Sequence, residues 1–479
     1  MAEAALAVQP NDKREIRGWA MYDWAISAFS TTVGTVFLGP YLASLATTVA
    51  KAEFLARHGV EWSEQTKTLS SLTASFFGIP IAPDSYLPYA VSLSVGLQVL
   101  FLPILGAIAD YSHLRKRMMQ TFALIGSLST IAMFFITAAT WQLGGILFVI
   151  ANLAFGAAMV FYNAYLPDIA TEDKRDSVSS FGWAMGYLGG GLLLVFNIAF
   201  YLMRDKLGVD GGLAARINLA SAGVWWFGFS LITFATLRSR HAVKPLPAGE
   251  SYLTIGFKQL WKTFGQASQY PHTIRFLLAY LLYNDGIQTV IAVASVFAAA
   301  EVARGGLGLE TGTLSAVILM IQFVAFGGAL AFGWLAGRIG GRNALVGGLV
   351  VWAGVVIYAY AGMKSDAPIL GMPQREFEFW LLGACIALVM GGTQAISRSI
   401  FAQMIPTGKE AEFFAIYEVS ERGTSWTGPL VFGLVNQWLG NMRPAILSLI
   451  FYFVVGLGLL IFIVDVPRAI RESKAFAEG

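Results

Sequence analysis

Charge is scarce in this chain. Only 13% of its 479 residues are Asp, Glu, Lys or Arg, where a soluble domain carries about 25%. Charge scales with wetted surface, so much of this surface faces something other than water. Cysteine is nearly absent: Cys385 stands alone in an apolar run, which excludes an intrachain disulfide framework and a cysteine metal cluster. Histidine is rare as well. His58, His113, His241 and His272 fall in polar connecting segments, which argues against a buried histidine relay or a haem site. No Gly-rich loop ending in Lys-Ser/Thr occurs, so no ATP motor is expected. No paired-carboxylate or nucleophile motif suggests an enzyme, and neither cofactor nor metal is expected. The formal net charge of +3 is too small to argue for nucleic acid. Residues 1–17 are polar and carry no short apolar core with a small-residue cleavage site, so no cleaved signal peptide is expected.

What fills the chain instead is apolar sequence: 56% hydrophobic residues, 51 glycines and 14% aromatics. Membrane helices pack through small residues and anchor through Trp and Tyr at the interface. A helix needs about 20 apolar residues to cross the hydrocarbon core. Such runs lie near 19–44, 86–109, 118–140, 143–166, 178–203, 214–237, 273–300, 312–337, 344–363, 377–403, 412–438 and 444–465. Backbone polar groups in lipid need internal partners, so these runs must be helices. The expected fold is an all-α integral membrane protein with twelve transmembrane helices. Twelve spans put both termini on one side. The flanks on that side include Lys13, Arg14, Arg115, Lys116, Arg117, Arg175, Arg338 and Arg342, and the opposite flanks hold about half as many Lys and Arg. The positive-inside rule places both termini in the cytoplasm.

The chain also repeats itself. The first span carries AMYDWAISAF and the seventh YLLYNDGIQTV, each with a Tyr followed closely by an Asp. GAIADYSHLRKR (106–117) follows the second span, and GWLAGRIGGR (333–342) follows the eighth. LPDIATEDKRD (166–176) follows the fourth, and MIPTGKEAE (404–412) the tenth. We therefore expect two pseudo-symmetric six-helix bundles, 1–237 and 273–479, with a substrate site between them. Residues 45–85 form an expected extramembrane lobe, partly helical. Residues 238–272 form an expected cytoplasmic linker. In it YLTIGFKQLWKTF spaces Leu253, Phe257, Leu260, Trp261 and Phe264 along one helical face, the pattern of an interfacial helix.

Ionisable groups inside a membrane cost roughly 2.5–3.5 kcal/mol each on insertion scales. Those present are therefore candidates for the transport pathway. Asp23, Ser27, Ser30, Thr31 and Gly34 form a polar stripe on the first span. Asp23 has two readings, a wall of the pathway or a partner at the cytoplasmic interface. For Ser27 and Thr31 ordinary helix packing competes with ligand contact. On the seventh span Tyr280, Asn284, Asp285 and Gln288 suggest a substrate or ion site, with Gly286 loosening the helix; the rival reading is a network fastening two helices. Gln394 and Arg398 on the tenth span suit a carboxylate ligand, since a guanidinium binds such groups through two parallel hydrogen bonds; snorkelling is the alternative. Glu418, Glu421 and Arg422 on the eleventh span are read as a salt-bridge cluster near the cytoplasmic ends. Asp110, Arg115, Arg117, Asp168, Arg338 and Arg342 are read with them as gating residues. The glycines of the fifth and eighth spans, Gly327 and Gly333 among them, are expected to permit close helix approach.

The Gly-x-x-x-acid turn after the second span, half-repeated after the eighth, resembles the signature loop of the major facilitator superfamily. The copies depart from it: Tyr111 stands where a basic residue is usual, and Gly337 where an Asp is usual. A more specific match lies in RGWAMYDWAISAFSTTV (17–33), LPDIATEDKRDSVSSFGWAMGYLGGG (166–191) and YNDGIQTV (283–290). These resemble the autophagy-related vacuolar effluxer family, bacterial members included, over nearly the whole chain. The resemblance implies the major facilitator fold and a location in the bacterial cytoplasmic (inner) membrane. Export of amino acids is associated with the family's eukaryotic members, so an amino acid is the expected substrate. The expected protein is a monomeric secondary transporter in the lipid bilayer, driven by an H⁺, Na⁺ or substrate gradient. A carrier or flippase of amphiphilic drugs or lipids is the alternative. A receptor or scaffold would have no use for the polar stripes.

Overall fold

A computed structural model describes residues 10–63, 72–110, 114–238, 258, 270–406, 408–422 and 427–477. Apart from Lys258, the linker helix expected at 252–264 lies outside these residues, as do His113 and His241. Ten long helices account for the first ten spans: α1 (Lys13–His58), α2 (Tyr86–Asp110), α3 (Arg115–Phe135), α4 (Gln142–Ile169), α5 (Arg175–Met203), α6 (Gly211–Thr236), α7 (Pro271–Ala299), α8 (Thr311–Ile339), α9 (Gly341–Ala361) and α10 (Gln374–Gln403). Of the eleventh expected span, Glu410–Arg422 (α11) and Thr427–Leu439 (α12) are described as helix, and 423–426 lie outside the described residues. Among the described residues eleven helices are long and apolar enough to span, the last being α13 (Met442–Phe462). A final helix, α14 (Val466–Ala477), follows it.

Three further expectations are corrected. The first helix does not stop near residue 44 but continues to His58, ending at Gly59 with φ 71°, a left-handed conformation that glycine adopts without a Cβ penalty. After it β1 (Ala74–Phe76) and β2 (Ile79–Ile81) form a hairpin, held to α1 where the Ser75 N–H donates to the Glu53 carboxylate at 3.1 Å. Gly286 does not loosen α7, which runs unbroken with Gly286 packed against Tyr452 and Phe453. His272 is not in a polar connection; it is buried in the first turn of α7, where its Nδ1 accepts from the Asp465 N–H at 3.1 Å. A short hairpin of β3 (Pro368–Ile369) and β4 (Met372–Pro373) precedes α10.

Helix pairing repeats between the halves. In the first, α1 packs on α6, α2 on α4, and α3 on both α4 and α6; in the second, α7 packs on α13, α8 on α10, and α9 on both α10 and α13. Across the halves α2 meets α11 as α5 meets α8. Matched cations brace the ends of the last helix in each half. Lys116 Nζ donates to the Leu237 carbonyl at 2.6 Å, and Arg342 Nη2 to the Ile461 carbonyl at 2.8 Å. Each places positive charge at a helix C-terminus, where it is favoured.

Within α1, residues Phe29–Phe37 (FSTTVGTVF) are wound as a π-helix. Such segments leave backbone groups out of the α register and recur at functional sites. The sequence signal was present but faint, a run of hydroxyl and β-branched residues around Gly34 in which side chains compete for backbone carbonyls. Thr35 Oγ1 donates to the Ser30 carbonyl at 2.9 Å, and Thr31 Oγ1 to that of Ser27 at 3.0 Å.

Candidate functional site

A cavity of 390 Å³ lies at the seam of the halves, lined from both. Asp23, Ser27, Ser30, Thr31 and Thr35 face it from α1, and Asn163 from α4. The second half contributes Gln288, Gln322, Gln394, Arg398, Glu418 and Glu421. Apolar walls come from Ile26, Phe155, Met159, Ile291 and Met390, with Trp183 and Tyr187 beside them. Its exposed lining residues, Ser30, Thr35 and Ile291, lie toward the far ends of α1 and α7. The floor, with Asp23, Asn163, Arg398 and Glu418, is buried. The cavity therefore opens away from the Lys/Arg-rich end of the bundle.

Arg398 organises the floor. It sits on α10 in the second half, yet among the described residues every hydrogen bond it makes is to the first half. Nε donates to Ser179 Oγ at 2.8 Å and Nη2 to the Ser179 carbonyl at 2.8 Å. Nη1 donates to Asn163 Oδ1 at 3.2 Å and to Asp23 Oδ2 at 3.4 Å, and Nη2 reaches the same Asp23 oxygen at 3.5 Å. A guanidinium has five N–H donors, and all five are accounted for. Trp19, Trp183 and Tyr162 surround the charge, with ring centroids 5.0, 5.6 and 5.7 Å away, an arrangement in which ring quadrupoles favour a cation. Asp23 is held in turn by the Tyr162 hydroxyl at 2.6 Å. Local sequence permits this crowding: a Cβ on Gly182 would stand 2.6 Å from Asp23 Oδ2 and 3.0 Å from Arg398 Nη2. Asp23 thus lines the cavity and ties the halves together, and it is buried on the cavity floor rather than placed at a membrane interface.

A second network joins α7, α10 and α11. Gln394 Nε2 donates to Asn284 Oδ1 at 2.9 Å, Asn284 Nδ2 to the Glu421 carbonyl at 3.0 Å, and the Tyr280 hydroxyl to Glu421 Oε2 at 3.1 Å. Tyr280 and Asn284 back the cavity wall, and Gln288 faces the cavity itself. Asp285 does not share their face. It points toward α12, where its Oδ2 accepts from Thr427 Oγ1 and from the Gly428 N–H. Glu418 and Glu421 are not at the cytoplasmic ends: both line the cavity, Glu418 accepting from Asn163 Nδ2 at 2.8 Å. The side chains of Arg422 and Asp110 lie outside the described residues.

At the Lys/Arg-rich end the cavity is shut. Arg115 pairs with Asp168 at 3.0 Å within the first half and with Glu410 at 3.2 Å across to the second. Arg175 Nη1 donates to the Ala402 carbonyl at 3.2 Å. Gly106 meets α11 so closely that a Cβ there would stand 2.4 Å from the Ala411 carbonyl oxygen. Asp176 of α5 also reaches the second half here, its Oδ2 2.9 Å from the Cβ position of Gly341. Glu410, Arg175 and Asp176 were visible only as charges in loop sequences; nothing in their spacing named their partners. Arg117 and Arg338 do not join this closure. Arg117 is exposed, and Arg338 is exposed over the Trp334 ring at 4.1 Å. Arg342 braces α13 instead. Of the packing glycines, Gly333 abuts Ser180 of α5, whereas Gly327 faces open space.

Repeated helix pairing, a polar cavity at the seam and a charged closure at one end are the arrangement of a membrane transporter of the major facilitator fold. The chain belongs to the family described as "Vacuole effluxer Atg22 like", whose model matches residues 11–474. It is 29% identical over 453 residues to the uncharacterized MFS-type transporter YxiO of Bacillus subtilis (strain 168), covering 94% of this chain and 95% of that one. It is 26% identical over 557 residues to autophagy-related protein 22-1 of Penicillium rubens, covering 98% and 92%. Among solved structures, the proton:xylose symporter XylE superposes with TM-score 0.66 at 12% identity, covering 95% of this chain and 96% of that one. FucP in the outward conformation gives 0.60 at 13% identity, covering 94% and 98%.

Proposed function

We propose that this protein is a secondary carrier of a small zwitterionic solute of the amino-acid type, working by alternating access. The observation that carries the reading is the floor of the cavity, where a guanidinium and carboxylates stand together between mixed polar and apolar walls. A zwitterion presents an anionic end to Arg398 and a cationic end to Asp23, Glu418 or Glu421, and its side chain to residues such as Ile26, Phe155 and Met390. Because the donors of Arg398 are all engaged, an incoming carboxylate exchanges with Asp23 rather than adding to it. That exchange releases the tie between the halves and links binding to movement. XylE is by name a proton symporter, and coupling to H⁺ is the corresponding reading here, with Na⁺ as the rival. The apolar walls favour a second reading, a carrier of amphiphiles. Purified protein in liposomes separates the two: labelled amino acids should enter, and should accumulate under an ion gradient, while amphiphilic dyes should not. Uptake of dyes alone would overturn the reading.

The Lys/Arg asymmetry supports both termini in the cytoplasm of a bacterial inner membrane, which makes this conformation outward-open. Single cysteines at Ser63 and Ser239, in a Cys385→Ala background, should then label from opposite sides of the membrane. Labelling of both from one side would refute that topology.

A further inference from the structure

We propose that Asp285 is an ion site of the carrier, separate from the solute cavity, and that it takes a single monovalent cation, H⁺ or Na⁺. The proposal rests on the carrier reading above, but its test does not need the solute. Asp285 lies on α7 with 1% of its surface exposed. Its Oδ2 is engaged by Thr427 Oγ1 and, at 3.1 Å, by the Gly428 N–H. Its Oδ1 is buried and, among the described residues, has no hydrogen-bond partner. A buried polar atom without a partner costs free energy whether the carboxyl is charged or neutral, and most such atoms in native proteins have a reason. Among the described residues no salt bridge reaches it. A bound cation supplies the missing partner and the missing charge together.

The groups facing Asp285 are few. From α12 come Thr427 and Gly428, neither titratable. From α13 comes Tyr452, whose hydroxyl donates to Thr427 Oγ1 at 3.1 Å. On α7 itself Tyr280 and Tyr283 turn to Glu421 and Ser397, and the Glu421 carbonyl of α11 is bound by the neighbouring Asn284. Among the described residues the titratable groups around the site are thus tyrosines and Glu421, and Asp285 points away from the cavity. The position is useful for coupling. Asp285 joins α7 to α12 through Thr427 and Gly428, while its neighbour Asn284 binds the Glu421 carbonyl of α11. Loading the site with a cation weakens the hold of the carboxylate on α12, while the adjoining residue stays tied to α11, which carries Glu418 and Glu421 into the cavity.

The test is thermal unfolding of the purified full-length protein, with H⁺ and Na⁺ as the only ligands. If the ion is H⁺, the midpoint of the wild type steps between acidic and neutral pH in choline chloride, and the step is absent in Asp285→Asn. If the ion is Na⁺, sodium chloride raises the midpoint above that in choline chloride, and Asp285→Asn loses the increment. Thr427→Val keeps the carboxylate but removes a donor to it, and should displace the pH step or weaken the sodium response severalfold. It covers the case in which Asp285→Asn does not fold. Wild-type pH and sodium responses in a folded Asp285→Asn protein overturn the proposal. So does a wild type that responds to neither ion, whatever solute uptake shows.

Discussion

Arg398→Ala should reduce uptake by two orders of magnitude or more while leaving a protein that inserts and purifies. The guanidinium joins α10 of the second half to Asp23, Asn163 and Ser179 of the first. Its removal leaves Asp23, 6% exposed, with Tyr162 as its remaining described partner. Breaking a buried pair from one side costs about 3–5 kcal/mol, and every 1.4 kcal/mol is roughly tenfold in an equilibrium. That cost falls on the outward-open arrangement, because all the partners lie across the seam. Arg398→Lys keeps the charge but offers three donors from a single point in place of a planar fork. It should bind solute at least severalfold more weakly. Asp23→Asn preserves an acceptor for Arg398 and for Tyr162, and should be milder than Arg398→Ala. The measurement is initial uptake and solute affinity in proteoliposomes, with monodispersity as the control for folding. Wild-type uptake by a folded Arg398→Ala protein would remove this residue from both the site and the tie.

Much of this site was legible in the sequence, and the illegible part has physical causes. The stripe on α1 could be read because Asp23, Ser27, Ser30 and Thr31 interrupt an otherwise apolar helix at helical spacing, and a polar face in a membrane must turn inward. Gln394 and Arg398 were legible for the same reason. What periodicity could not settle is which of two inward faces a residue takes. Successive residues turn by about 100°, so Asn284, Asp285 and Gln288 fit one broad polar face on paper. Packing divides them, sending Gln288 to the cavity and Asp285 to α12. Glu418 and Glu421 were misplaced because their charge and spacing alone do not say what their side of α11 packs against; packing turns both to the cavity. The partners of Arg398 lie as far as 375 positions away in the chain. A contact of that separation is decided by how the halves close on each other, and no local pattern records it. The π-helical turn of α1 leaves only a weak mark for a related reason, since the same hydroxyl residues are common in ordinary membrane helices.

The closure at the Lys/Arg-rich end should yield to two substitutions of different kinds. Arg115 is the charged bridge, paired with Asp168 in its own half and with Glu410 in the other, and both members of the crossing pair are nearly buried, at 12% and 8% exposure. An exposed ion pair contributes about 0–1 kcal/mol and a buried one costs about 3–5 kcal/mol when broken from one side. Arg115→Ala falls between, which corresponds to a shift of roughly tenfold toward the state open at that end. Gly106→Val acts by volume instead. The added carbon meets the Ala411 carbonyl at 2.4 Å, a backbone atom that cannot swing aside, so α2 and α11 must separate. Overpacking of this sort costs typically 1–3 kcal/mol or more, and here the strain is relieved by opening. A cysteine at Ala402, 1% exposed beneath the closure, in a Cys385→Ala background reports the result. Thiol reagents reaching it from the Lys/Arg-rich side should react about ten times faster in Arg115→Ala and faster still in Gly106→Val. Glu410→Gln should reproduce part of the Arg115 effect, because it removes the crossing partner and leaves Asp168. Equal reactivity in all three variants and the parent would mean that this end is held shut by the Arg398 floor alone, and that Arg115 only fastens α3 to α4.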